Sequence, residues 1–180
     1  MTTIRRKTNE TEVEVQIGGP AGSIATGVPF LDHMLHTLAR YSGLPLSVQA
    51  RGDLLHHLVE DVAIALGTAV AGYTPTAAAR YGERTIPMDD ALVQCVIDLG
   101  GRPYYRGPLP SALYEHWMRS FSDNARSTLH IRVLRGSDRH HIVEAAFKAL
   151  GLALRDALRE AGHQGVFSTK GAVLTQEESE

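Results

Sequence analysis

Nine histidines stand in a chain of 180 residues that holds a single cysteine, and six of the nine fall into a pattern. His33 is followed by His56-His57 and Glu60, and His116 by His140-His141 and Glu144. On a helix, positions i and i+4 share a face, so His56 can stand over Glu60 and His140 over Glu144. Adjacent histidines point roughly 100° apart, so each pair is poorly placed to chelate one ion but can serve two. Six imidazoles and two carboxylates divide into two sites of three His and one Glu. Such a site leaves open positions on an octahedral ion, which suits Mn²⁺ or Fe²⁺ acting on a substrate. Zn²⁺ is more often tetrahedral and fits less well. A lone His-His pair at a helix start is more often a capping or surface feature. Two pairs, each with a Glu and an upstream His at matching distances, shift the balance to ligation. His36, His130 and His163 have no counterparts and are read as exposed or hydrogen-bonded; His130 should face away from Leu129 and Ile131.

The elements that must position these residues come twice. Residues 51–70 placed over 135–154 match at ten of twenty positions, at an offset of 84. Upstream, Asp32-His33-Met34 lies over Glu115-His116-Trp117 at an offset of 83. Alternation of Val13, Val15 and Ile17 predicts a strand over 11–17, ended by Gly18-Gly19-Pro20. Phe30, Leu31, Met34, Leu35 and Leu38 predict a helix with Pro29 in its first turn and Gly43 as its stop. Strands follow over 46–50, 91–99 and 127–134, with helices over 56–70, 111–124 and about 138–161. A further strand is possible within 166–174. The unit is strand, helix, strand, helix, repeated, which gives an α+β fold with internal duplication. We expect one compact domain over 1–180, with halves at about 5–86 and 87–175.

Composition sets outer bounds. Apolar residues make up 43% and charged residues 21%, an ordinary globular balance, and the net charge of −2 gives no general reason to bind nucleic acid. One cysteine excludes an internal disulfide framework and any thiolate cluster within the chain, so metals would be held by nitrogen and oxygen. Cys95, mid-strand, reads as core. No stretch approaches a membrane span, and MTTIRRKTNETEVEV has no apolar segment of a secretory leader, so a cytoplasmic protein is expected.

The motifs FLDHML (30–35), HHLVED (56–61), PMDDAL (87–92), DLGGRPY (98–104), EHWMRSF (115–121), HHIVEAAFKALGLALR (140–155) and STKG (168–171) strongly resemble the imidazoleglycerol-phosphate dehydratase family of histidine biosynthesis. The resemblance runs from about Arg5 to Leu174. It implies two halves, each a four-stranded sheet with helices packed on one face, like domain 2 of ribosomal protein S5. It also implies a homo-oligomer of 24 subunits built from trimers, with active sites where subunits meet. Two Mn²⁺ ions per active site would be held by His33, His56, His57, Glu60, His116, His140, His141 and Glu144. The substrate's phosphate would meet Arg80, Arg102, Lys148, Ser168, Thr169 and Lys170, a mix of guanidinium, ammonium and hydroxyl donors that suits a phosphate monoester. Glu10 matches the family's candidate base, and it joins Glu60 and Glu144 in the catalytic set.

The implied reaction removes water from imidazole-glycerol phosphate to give imidazole-acetol phosphate. The departing hydrogen is not next to a carbonyl, so enolate chemistry does not serve. An imidazolate bound to two metal ions could expel the hydroxyl through a diazafulvene-like intermediate, with tautomerisation giving the ketone. The chain departs from the family pattern at Tyr41, where a His is usual, and at Leu58, where Thr is usual. The segment before His56 is short and lacks the customary acidic pair, and PMDD ends at Asp90 rather than Glu. The rival readings are a di-metal phosphatase or other hydrolase acting on a small phosphate ester, and a non-catalytic metal-dependent assembly or storage protein. Under the last, Arg80, Arg102 and Lys170 have no task.

Overall fold

A computed structural model of the chain describes residues 1–162 together with Gly165, Phe167 and Ser168. The first half runs β1 (Thr2–Lys7), β2 (Thr11–Ile17), β3 (Ile24–Ala25), α1 (Pro29–Ser42), β4 (Leu46–Gly52) and α2 (Leu55–Tyr73). The second repeats that order as β5 (Tyr81–Met88), β6 (Ala91–Asp98), β7 (Tyr104–Arg106), α3 (Ala112–Asn124), β8 (Thr128–Arg135) and α4 (Arg139–Ala157). Each half folds into a four-stranded mixed sheet, ordered β1-β2-β4-β3 and β5-β6-β8-β7. In both, the short third strand joins parallel to its neighbour and the others pair antiparallel. The expected α+β duplication is therefore present, with four strands per half. Its dividing line is not near residue 86, which falls inside β5. Tyr81 to Met88 pairs along its whole length with Asp98 to Ala91, so β5 belongs to the second sheet and the halves part between α2 and β5.

Alternation decides which face of each sheet is covered. Thr11, Val13, Val15 and Ile17 of β2 are buried, as are Ala91, Val93, Cys95 and Ile97 of β6, while the residues between them face outward. His130 is exposed between buried Leu129 and Ile131, as its spacing required. Helices cover the inner faces, α2 against β1 and β2, α4 against β5 and β6. They then interlock between halves, α1 on α4 and α2 on α3. Two glycines preserved by the duplication allow this. A Cβ on Gly67 would lie 2.5 Å from the Phe121 carbonyl oxygen, and one on Gly151 would lie 2.9 Å from the Tyr41 Cβ. Trp117, fully buried, packs on Phe121 and Phe147 with ring centroids 5.4 and 4.6 Å away. Each such aromatic contributes roughly 1.5–3 kcal/mol of burial.

Helix ends follow local chemistry. Pro29 opens α1, and Gly43 closes it at φ 72° with its N–H donating to Ala39 O. Asp138 caps α4 by accepting from the His140 and His141 N–H groups. That helix stops at Ala157, short of the expected 161. The backbone beyond it is taken by the linker between halves: Arg80 N–H donates to Ala157 O, Ala79 N–H to Arg159 O and Ala161 N–H to Ala77 O. The expected strand within 166–174 lies largely outside the described residues. Among the described residues, no helix is long and apolar enough to cross a membrane.

Candidate functional site

The helix pairing decides which histidines meet. His33 on α1 comes to His140 and Glu144 on α4, and His116 on α3 comes to His56 and Glu60 on α2. Each cluster thus takes its first-helix histidine from one half and its His-x-x-x-Glu pair from the other. In the first, His140 Nε2 lies 3.0 Å and His33 Nε2 3.3 Å from the same Glu144 oxygen, Oε2. In the second, His116 Nε2 is 3.1 Å from Glu60 Oε1 and His56 Nε2 is 3.7 Å from Oε2, with the two imidazoles stacked at 4.9 Å. The acid before each first-helix histidine locks the loop leading into that helix. Asp32 Oδ1 accepts from the Thr26 N–H at 2.9 Å, and Glu115 Oε2 from the Leu109 N–H at 3.0 Å. The duplicated acid-His dipeptide carried that signal in the sequence.

His57 and His141 stand apart from these clusters. His57 Nδ1 donates to Asp53 Oδ1 at 3.1 Å and lies 3.4 Å from Glu10 Oε2. His141 Nδ1 donates to Asp90 Oδ1 at 2.7 Å, and its Nε2 lies 3.4 Å from Asp89 Oδ2. Both imidazoles are pulled above the ordinary histidine range, His57 chiefly by its bond to Asp53 and His141 chiefly by its bond to Asp90. The Ser137 N–H, then His141, hold the Asp90 carboxyl well below its ordinary range. Glu10 sits in the β1–β2 turn, exposed, its backbone fixed by Thr8. Asp90 was noted from sequence only as a departure from the family pattern, and Asp53 and Asp89 were given no role, because an isolated acid in a turn has no signature of its own.

Both three-residue clusters fit a divalent cation. Their donor atoms, two imidazole nitrogens and a carboxylate oxygen, lie within 4.8 Å of one another. His116 Nε2 is buried and makes no hydrogen bond among the described residues. Its approach to Glu60 Oε1 at 3.1 Å is not a well-directed hydrogen bond, and a metal bond would satisfy the nitrogen. Burial pushes the Glu144 carboxyl up, but Lys148, His33 and His140 together carry it below its ordinary value, so it is an anion.

Of the expected phosphate groups, Lys148 lies at this centre: its Nζ is 3.0 Å from Glu144 Oε1, 3.4 Å from Met88 Sδ and 5.8 Å from the Tyr41 ring centroid. Arg80 and Arg102 lie elsewhere. Arg80 grips Asp98 through Nε at 2.6 Å and Nη2 at 3.0 Å, and its Nη1 donates to Phe167 O at 2.8 Å. Ser168, exposed, follows directly, and Arg102 is exposed beyond Gly100, which lies against Arg80. Thr169 and Lys170 lie outside the described residues. Arg80 precedes β5, whereas Met88 and Asp90 are at its far end. The 8 residues of β5, at about 3.3 Å each, set the two groups roughly 25 Å apart in one chain.

Comparison with known proteins identifies the family of the chain. Residues 26–154 match the family model of imidazoleglycerol-phosphate dehydratase. A protein of that name from Desulforudis audaxviator is 44% identical over 94% of this chain and 96% of its own length. One from Thermus thermophilus is 45% identical over 95% of this chain and 98% of its own length. Among solved structures, the Pyrococcus furiosus protein in complex with (S)-C348 superposes with a TM-score of 0.85 at 40% identity, covering 94% of this chain and 100% of that one. The Staphylococcus aureus imidazoleglycerol-phosphate dehydratase gives 0.79 at 34% identity, covering 89% of this chain and 100% of that one.

Proposed function

We propose that this chain, which belongs to the imidazoleglycerol-phosphate dehydratase family, works as a hydro-lyase of histidine biosynthesis whose active sites are shared between copies and hold two divalent cations. The observation that carries the metal reading is the paired clusters, His33–His140–Glu144 and His56–Glu60–His116, each with imidazole Nε2 atoms turned onto one carboxylate. Mn²⁺ suits this nitrogen-and-oxygen set, and when bound it would supply Lewis-acid charge at the substrate's imidazole nitrogens. Each cluster has three ligands within the chain, and His57 and His141, half-buried, stand outside both. We assign them as the fourth ligands, donated to a neighbouring copy.

The remaining residues have separate tasks. Glu60 and Glu144 hold negative charge against the imidazole donors, and Lys148 keeps Glu144 ionised. Glu10, on a turn anchored by Thr8, takes the proton from carbon. Arg80, oriented by its two bonds to Asp98, is assigned to the substrate's phosphate, a task shared with Arg102, Ser168, Thr169 and Lys170 on the family resemblance. Because Arg80 lies about a strand's length from the metal-holding residues of its own chain, the phosphate of one site falls to a neighbour. A homo-oligomer, up to the 24 subunits that the resemblance implies, follows from that division.

The test is turnover of imidazole-glycerol phosphate by chelated protein with and without added Mn²⁺, following the ketone product and inorganic phosphate separately. Ketone restored by Mn²⁺ is expected. Phosphate release without ketone would replace the dehydratase with a hydrolase, and full activity in chelator would remove the metals from the reading.

A further inference from the structure

We propose that Asp53 and Asp90 are positioning residues that hold His57 and His141 in the one tautomer able to bind a metal through Nε2. This rests on the two-metal reading above. A carboxylate only accepts hydrogen bonds, so His57 Nδ1, 3.1 Å from Asp53 Oδ1, and His141 Nδ1, 2.7 Å from Asp90 Oδ1, must both carry the hydrogen. The Nε2 lone pair of each ring is then the one left for a cation, the same atom that His33, His56, His116 and His140 turn toward their carboxylates. Asp89 Oδ2 approaches His141 Nε2 at 3.4 Å but forms no hydrogen bond, and its side chain is 72% exposed, so it is free to withdraw.

Both acids are themselves held. Asp90 Oδ2 accepts from the Ser137 N–H at 2.6 Å, the Ser137 hydroxyl at 2.9 Å and the Asp138 N–H at 3.2 Å, which leaves Oδ1 for the imidazole. Asp53 Oδ1 also accepts from the Leu54 N–H at 2.6 Å. The two acids are not counterparts in the duplication. Asp53 reaches its histidine from four residues before it, and Asp90 reaches across from the β5–β6 turn. In the duplicated alignment Asp53 faces Ser137, which is itself a donor to Asp90. The two halves thus arrive at the same bond, carboxylate to Nδ1 of the second histidine, from different positions. That convergence marks the bond, rather than the residue, as the thing retained. Hydrogen bonds of this kind fix the orientation and raise the basicity of metal-bound histidines.

The experiment titrates Mn²⁺ into metal-free, full-length protein and counts bound ions by electron paramagnetic resonance, with thermal midpoints measured in chelator. In Asp90→Asn the amide oxygen stays with the Ser137 and Asp138 donors, so the NH₂ group faces Nδ1 and favours the wrong tautomer. Asp53→Ala removes the other acid from an exposed segment with little else depending on it. Each is expected to weaken Mn²⁺ binding about 10- to 100-fold, the usual cost of removing such a partner. Ser137→Ala, which loosens the same loop but keeps the Asp90–His141 bond, should bind like wild type. Wild-type affinity in both acid variants would overturn this inference alone, as would a loss in Ser137→Ala equal to that in Asp90→Asn. If Asp90→Asn fails to fold, Asp53→Ala decides. A wild-type chain that takes up no Mn²⁺ would overturn the two-metal reading and this inference with it.

Discussion

At the scale of single residues, the carboxylate–imidazole pairs fix how the metal-free protein responds to pH. Asp53 and Asp90 are held below their ordinary 3.8, Asp53 chiefly by its bond to His57 and Asp90 chiefly by the Ser137 N–H. Their stabilising contribution is present above 3.8 and lost as pH falls through the lowered folded values. His57 and His141 are held above their ordinary 6.5, so their contribution is present below 6.5 and lost as pH rises through the raised folded values. Both contributions coexist between 3.8 and 6.5, and the thermal midpoint measured in chelator should be highest in that window. The effect is modest because the two acids are exposed and the two imidazoles only half-buried, so solvent screens both pairs. Metal binding runs the other way: ligand histidines must be neutral, so Mn²⁺ affinity should climb across the range where the metal-free protein loses stability. A chelated protein whose midpoint keeps rising to pH 9 would refute the assignment.

At the scale of elements, the sequence was most readable where one face of a strand or helix is buried. Strict alternation exposed β2 and β6, and Gly43 and Pro29 bounded α1 correctly. The strands β1 and β5 escaped because they are sheet edges: Thr2–Lys7 has no buried residue and Tyr81–Met88 only Gly82, so neither shows a two-residue apolar rhythm. All eight ligand candidates were legible as residue types at matching offsets, but not their grouping. The repeat does not say which first-helix histidine joins which His-x-x-x-Glu pair, and only the crossing of α1 with α4 and α2 with α3 decides it. Gly67 makes one crossing possible, so Gly67→Ala tests it. The added Cβ would meet the Phe121 oxygen at 2.5 Å and the Ala125 nitrogen at 2.9 Å, both backbone atoms that cannot swing aside. Overpacking of this kind costs about 1–3 kcal/mol, against less than about 1 kcal/mol gained in helix propensity. The midpoint should fall by several degrees, and Mn²⁺ binding at His56, Glu60 and His116 should weaken as the helices part. Gly151→Ala, where the nearest atom is the Tyr41 Cβ at 2.9 Å and the nearest backbone atoms lie at 3.1 Å, should cost less. A Gly67→Ala protein as stable as wild type, with unchanged binding, would show that the close approach does not set the site.

At the scale of the whole molecule, the proposed division of labour along β5 calls for more than one chain. Large apolar side chains lie exposed at both places where a neighbour would have to dock. Leu54 and Leu55 are 57% and 53% exposed just ahead of His56, while Tyr81 and Phe167 are 52% and 54% exposed beside Arg80. Apolar residues flanking charged ones in this way are what a closed symmetric assembly covers. Two chains defective for different reasons should therefore rescue each other. Arg80→Ala removes the phosphate grip but keeps every metal ligand, and His140→Ala removes a ligand but keeps the grip. Each alone should be nearly inactive. Co-expressed in equal amounts and purified as mixed assemblies, they should recover roughly a quarter of wild-type turnover, the share of sites in which an intact metal centre meets an intact grip from a different chain. If phosphate and metal residues of one site came from the same chain, no mixture could contain an intact site. Mixed assemblies as inactive as either parent would return the whole reaction to the single chain, and with it Arg80 to a role in holding Asp98 and Phe167.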